Sequence, residues 1–237
     1  MTALPRAIGA LWGLDEEGRR GPKRTLSVAG IGEAAVRIAD AEGLAAVSMA
    51  SVAKELGTTA MALYRYVDSR QELEAVMVDV AIGPPPDFGS SPDWTKRLFN
   101  WAWEEARQLA AHSWALEVRP GSPPVSPNLT AWTDAGMQIM LRSGLPEQPA
   151  ASCLLMVDGY VRSHLLLGLQ FSDAEATAHW GDQLRLVVDP ERMPGLHQVL
   201  ESGALEDDGP PGEFPGQDFE FGLAVLLDGF RALAARG

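Results

Sequence analysis

The chain has 237 residues, 46% of them hydrophobic, a length that suits one large domain or two small ones. Its 19 basic and 32 acidic side chains give a net charge of −13, which taken whole argues against a nucleic-acid partner, and its single cysteine, Cys153, excludes an intramolecular disulfide and points to a reducing cytosol. Pro5 and Arg6 interrupt the short apolar stretch at the N-terminus, and later apolar runs are broken by Asp158, Arg162, His164 or Asp228, so neither a signal peptide nor a membrane span is expected.

The charge is unevenly divided. Residues 1–70 carry nine basic and eight acidic side chains, whereas residues 71–237 carry ten and twenty-four. Arg19, Arg20, Lys23 and Arg24 cluster in GRRGPKRTLS, within a basic N-terminal arm assigned to residues 1–26. Beside a DNA-binding element such an arm lies along phosphates or enters a minor groove; by itself, a basic run is a solvated leader.

Residues 48–70, SMASVAKELGTTAMALYRYVDSR, predict two short helices around a tight turn, followed by the start of a third. Ser48 stands where an N-cap is needed, and Met49, Val52, Ala53 and Leu56 continue one apolar face. Gly57 suits a helix that stops through a left-handed residue. Thr58 or Thr59 caps the next helix, on which Leu63 and Val67 lie four apart and share a face. Thr59, Ala60, Met61, Tyr64 and Tyr66 are left mostly on other faces. This is the layout of a helix-turn-helix, whose second helix sets its N-terminal residues against base edges while the first crosses the phosphate backbone.

These residues resemble the tetracycline-repressor-like (TetR) family of transcriptional regulators, whose three-helix DNA-binding head ends in an aromatic stretch, here Leu63-Tyr64-Arg65-Tyr66-Val67. The resemblance covers about residues 18–82, with Ile31–Ala39 as the first helix and Asp40-Ala41-Glu42-Gly43 as its exit. The segment LWGLDEEG also resembles leaders in one subset of the family. What the resemblance implies is a head over 27–82 that meets DNA through Ser48, Ser51, Thr58, Thr59, Ala60, Met61, Tyr64, Tyr66 and Arg70, with the arm residues Arg19, Arg20, Lys23 and Arg24.

Two positions depart from the family pattern. Ala60-Met61-Ala62 stands where many members carry polar readers. Ala and Met meet a thymine methyl but do not separate bases by donor and acceptor pattern, which moves specificity onto Thr58, Thr59, Tyr64, Tyr66, the arm and DNA shape. Arg70 replaces the usual lysine at the start of the fourth helix and supplies a cation for phosphate.

Beyond Val80 the pattern stays helical, with breaks at 83–92, 120–127 and 207–216, all rich in Pro and Gly. Helices are predicted near 92–112, 127–143, 147–171, 173–187 and 217–235, with shorter pieces between, and no alternating β-branched run argues for a sheet. The expected fold class is all-α, with residues 83–237 as a ligand-binding and dimerisation domain. The helices near 147–171 and 217–235 are apolar almost all the way round, so both must be buried on every side. A two-fold partner packing them as a four-helix bundle accomplishes that, and the family resemblance assigns dimerisation to the same two helices.

Six of the seven tryptophans lie after residue 90. Trp101, Trp114 and Trp132, with Met137, Met140, Met156 and Tyr160, are candidates for the wall of an apolar effector pocket. Ordinary core packing is the competing reading for each. The stretches AAHSWALE and PNLTAWTDAGMQIMLRSGLP resemble the C-terminal domain of the tetracycline-repressor branch, and that resemblance makes His112 the first polar pocket candidate, with His164 and Asn128 behind it. The rest of that branch's pocket has no residue-by-residue match, so neither tetracycline nor its magnesium ion is carried over.

No phosphate loop, nucleophile elbow, dinucleotide fingerprint or HExxH occurs, and four scattered histidines with one cysteine give no metal spacing. No catalysis, metal or cofactor is expected. The sequence thus points to a cytoplasmic homodimer that binds a double-stranded DNA operator and leaves it when a small apolar or aromatic effector enters the body. Two rivals are a DNA-binding architectural or co-regulatory protein without an effector, and a carrier or enzyme with a borrowed helical head.

Overall fold

The computed structural model describes residues 4–14, 26–119, 123–170, 179–204 and 216–236, and among them every regular element is helical. The head comprises α1 (Arg6–Leu11), α2 (Val28–Glu42), α3 (Met49–Glu55), α4 (Ala60–Leu63) and α5 (Arg70–Ile82). The body comprises α6 (Trp94–Ala111), α7 (Pro127–Leu141), α8 (Glu147–Gln170), α9 (Trp180–Val187), α10 (Pro194–Glu201) and α11 (Gln217–Ala234). Short 3-10 turns follow α2 (Leu44–Ala46) and α6 (Ser113–Leu116). The predicted helix over 173–187 is described only from residue 179 onward.

Local chemistry accounts for the boundaries. Ser27, Ser69 and Asp93 each present a side-chain oxygen to a backbone N–H of the first turn of α2, α5 and α6. Pro127 opens α7, where its missing N–H costs nothing. α2 is longer than the predicted Ile31–Ala39, because Ser27 starts it early and it runs through Asp40 to Glu42 before Gly43 ends it at φ 82.

In the head α2 packs on α5, around the fully buried Ile31, Val52, Leu63, Val67, Leu73, Val76 and Met77. In the body α6, α7 and α8 pack on one another, and α11 lies against α6 and α8. Burying each such aliphatic side chain stabilises the fold by about 1.5–3 kcal/mol.

The two all-round apolar helices are covered within this chain on one side only. α8 turns Cys153, Leu154, Val157, Val161 and Leu165 inward, but Leu155 is 70% exposed and Met156, Leu166, Leu167 and Leu169 are exposed with it. α11 turns Phe219, Leu223, Leu227 and Phe230 inward, while Phe221 is 72% exposed and Val225 and Leu233 face outward. Gly222 serves contact inside the chain: a Cβ there would sit 2.3 Å from the Tyr160 hydroxyl of α8.

The first 26 residues include a helical segment. They contain α1, whose Ala7 and Ile8 are buried against α5 and α2. The basic cluster Arg19, Arg20, Lys23 and Arg24 lies outside the described residues.

Candidate functional site

The helix-turn-helix is assembled by its caps. Ser48 accepts from the Ser51 N–H at 3.0 Å and the Ser51 hydroxyl accepts from the Ser48 N–H at 2.8 Å, a reciprocal capping box at the start of α3. Ser51 also donates to the Ala46 carbonyl at 2.9 Å. Both serines are half-buried, and their hydroxyls bond within the head at the start of α3. At the other end of α3, Gly57 takes φ 62, its N–H bonds to Lys54 O at 3.1 Å, and Thr58 N–H bonds to Ala53 O at 2.9 Å, a Schellman closure.

Thr59, not Thr58, is the N-cap of α4, accepting from the Ala62 N–H. The α-helical part of this second helix is only four residues long, and Tyr64-Arg65-Tyr66 continue it as a turn. Leu63 and Val67 are fully buried, as their shared spacing predicts, and anchor the segment to the head. On the outside Met61 is 74% and Tyr64 46% exposed, three residues apart and therefore on one face. Thr59 and Arg65 are exposed with them, and Thr58, Ala60 and Tyr66 are half-buried.

Arg70 is engaged within the head. Its Nε donates to Glu74 Oε1 at 2.8 Å and a terminal nitrogen donates to the Leu44 carbonyl at 3.3 Å, tying the start of α5 to the turn after α2. Its side chain is still 52% exposed.

Several of the pocket candidates hydrogen-bond head to body. His112 ends α6, with its Nδ1 2.8 Å from Asp40 Oδ1, and Trp114 Nε1 donates to the same oxygen at 2.7 Å. Asn128 and Leu129, at the start of α7, donate backbone N–H bonds to Asp79 Oδ1 at 2.8 and 3.1 Å, and the Asn128 amide donates to the Asp79 carbonyl at 2.9 Å. Asp79 is 2% exposed on α5, so a buried carboxylate of the head caps a helix of the body. Trp132 Nε1 donates to the Gly83 carbonyl at 2.9 Å, and Trp101 Nε1 donates to the Trp132 carbonyl at 3.0 Å. Trp101, Trp114, Trp132 and Met140 are buried in the core, and Met137 is half-buried.

The remaining candidates sit around α11. Tyr160 donates to the Phe219 carbonyl at 3.0 Å and stacks on the Phe219 ring at 5.5 Å, which His164 meets edge-on at 5.3 Å and Trp103 meets at a tilt at 5.9 Å. Burial raises the Tyr160 hydroxyl pKa and, as the larger influence, lowers that of His164, so both are neutral at pH 7. Met156 lies elsewhere, in an open apolar groove of about 350 Å³ between α8 and α11 that Cys153, Val225, Gly229, Phe230 and Leu233 also line.

Asp40, Asp79 and Phe219 were not among the sequence candidates. A lone carboxylate inside the apolar run VMVDVAI was the one available signal for Asp79; Asp40 reads as an ordinary helix exit, and its partners are found only by folding. Among the described residues no group of three or more His, Cys, Asp or Glu side chains is placed to hold a metal, and no helix is long and apolar enough to cross a membrane.

A capped helix-turn-helix that exposes one face of its second helix, hydrogen-bonded to a helical body, defines a DNA-binding helix-turn-helix protein with an attached second domain. The family model for bacterial regulatory proteins of the tetR family matches residues 31–75, and that for the tetracyclin repressor-like C-terminal domain matches residues 86–234. The chain belongs to the TetR family of bacterial transcriptional regulators.

It is 34% identical over 246 residues to the HTH-type transcriptional repressor DrrR1 of Streptomyces coeruleorubidus, across 98% of this chain and 87% of that one. Its fold is similar to apo ActR of Streptomyces coelicolor, with a TM-score of 0.77 at 23% identity over 91% of this chain and 99% of that one. It is also similar to ActR in complex with actinorhodin, with a TM-score of 0.72 at 23% identity over 90% and 99% of the two chains.

Proposed function

We propose that this protein is a homodimeric repressor that grips a pseudo-palindromic operator and releases it when a small apolar or aromatic molecule enters the body. The observation that carries this reading is the joint between domains. Exposed Met61 and Tyr64 stand on a head that is bonded through Asp40 and Asp79 to the ends of α6 and α7, so rearranging the body displaces the recognition residues. A ligand drives that displacement only by its differential affinity for the two arrangements.

Repression is supported by the likeness to DrrR1, and effector binding by the actinorhodin complex of ActR. The aromatic group of Trp103, Tyr160, His164 and Phe219 is the effector contact proposed here, because it places ring faces beside a neutral imidazole. The second copy is proposed to cover the outward residues of α8 and α11, including Leu155, Met156, Phe221 and Val225.

One observation favours the rival without an effector. The indoles of Trp101, Trp114 and Trp132 are buried with their N–H groups already satisfied, as in a filled core. The two readings separate in one experiment: duplexes selected from a random-sequence pool by the purified full chain are footprinted, then challenged with planar aromatic compounds including actinorhodin. Inverted half-sites about 34–36 Å apart, or a multiple of that spacing, and release by a compound support the proposal. A site without inverted symmetry removes the dimeric reading, and DNA binding indifferent to every compound leaves the effector-free rival.

A further inference from the structure

The helix α1 lies outside both family-model matches and is held by parts of the molecule that it joins. Six residues are too few for a helix to persist by itself in water, and its N-cap, Pro5, offers no side-chain acceptor. The missing acceptor comes from α5: Ala7 N–H donates to Glu72 Oε1 at 2.7 Å, and Asp68 N–H donates to the other oxygen of the same carboxylate. Glu72 is only 7% exposed, so this bond is made out of water.

Each end of α1 reaches a different functional region. At its start, Arg6 donates to the Arg65 carbonyl at 3.1 Å and pairs with Asp68 at 3.3 Å, both at the exit of the recognition segment. Just past its end, Trp12 Nε1 donates to the Val125 carbonyl at 2.7 Å, in the body segment that leads into α7. Two residues further on, Pro127 opens the same helix whose first N–H groups are held by Asp79.

We infer that α1 is a strap that ties the exit of the recognition helix to the approach to α7, with Arg6, Glu72 and Trp12 as positioning residues for DNA binding. The inference rests on the reading of α4 as the DNA-contacting helix. Its anchors act in series: with either end released, the other no longer transmits.

Arg6→Gln and Trp12→Phe are made singly and together in the full chain; both side chains are substantially exposed, and far-ultraviolet circular dichroism confirms that the fold is retained. The first readout is hydrogen exchange of the free protein. Trp12→Phe is expected to speed exchange at the Ala7 and Asp68 amides several-fold, although the substitution touches neither; unchanged exchange there overturns the strap. The second readout is affinity for the duplex that the wild type selects from a random-sequence pool. Each single change is expected to weaken it about 2–10-fold, the range of one lost hydrogen bond, and the double change by no more than either alone.

Affinity losses that multiply make Arg6 an independent phosphate contact and overturn the series arrangement. Faster exchange with unchanged affinity overturns the positioning role. If the wild type selects no duplex, the DNA reading itself has failed, and the exchange result still decides whether α1 links the two regions.

Discussion

Trp114 Nε1 donates a 2.7 Å hydrogen bond to Asp40 Oδ1, and this bond fixes the last turn of α2 to the turn that follows α6. Trp114 is 4% exposed, so its N–H has little recourse to water if Asp40 is lost. Asp40→Ala is expected to lower stability by about 1 kcal/mol, the low end for an orphaned donor because the carboxylate is itself partly solvated. Adding Trp114→Phe should cost less than it does in the wild type, since it removes the orphan. Urea denaturation of the four proteins measures the cycle; strictly additive losses would show that the pair is not coupled.

Ser48 and Tyr64 belong to the same motif and should fail differently. Ser48→Ala removes a capping box and is expected to cost about 1 kcal/mol of stability. Tyr64→Ala removes a side chain already 46% exposed, so the melting temperature should barely move while affinity for the selected duplex falls about tenfold or more. Parallel melting curves and duplex titrations test the contrast. A Tyr64→Ala protein that binds as tightly as the wild type would remove Tyr64 from the interface.

Met156 and Val225 both line the open groove between α8 and α11. Placing charges there, as Met156→Glu with Val225→Glu, leaves the inward core of each helix untouched but makes the proposed dimer interface bury two unpaired carboxylates per chain. Sedimentation should show a helical monomer with greatly reduced affinity for a two-fold operator. A stable dimer of the variant would place the interface elsewhere.

Glu105 gives the body a dependence on pH. Its carboxyl, 7% exposed on α6, is pushed well above the usual carboxylate range, first by burial and then by Asp158, against the opposing pull of Arg162 at 3.7 Å. The folded state therefore holds a proton that the unfolded chain gives up near its ordinary value of 4.5, and stability falls as pH rises from there to the folded value. One oxygen, Oε2, has no hydrogen-bond partner, which adds to the cost of the ionised form. Glu105→Gln should remove the decline, so that its advantage over the wild type grows steadily from pH 4 to the top of that window. Urea midpoints measured across the range test it, and a constant difference would refute the assignment.

The motif was legible because its signals are local. Ser48 beside the apolar run of α3, Gly57 at φ 62, and Leu63 and Val67 four apart each act within one or two turns, so a linear reading finds them. The same locality governs which polar side chains of the head find partners nearby. Ser48 and Ser51 satisfy each other across the start of α3, and Arg70 pairs with Glu74 one turn along its own helix.

The body was legible as helices but not as a site. Residue type gives His112, Asn128, Trp114 and Trp132 the same aromatic or polar character whether they line a pocket or brace a joint. Their partners Asp40, Asp79 and Gly83 lie 49 to 74 residues away.

By itself, then, the sequence determined that the chain is all-helical, that it carries a helix-turn-helix, and that α8 and α11 have more apolar surface than one chain needs, because caps, glycine turns and 3.6-residue periodicity are properties of short segments. The tertiary structure alone decided that two aspartates of the head hold the body, that Glu72 caps a helix from another part of the chain, and that Glu105 is buried beside Asp158. Those facts depend on which distant polar groups meet out of water, where a bond left unmade is costly, and no local pattern encodes that meeting.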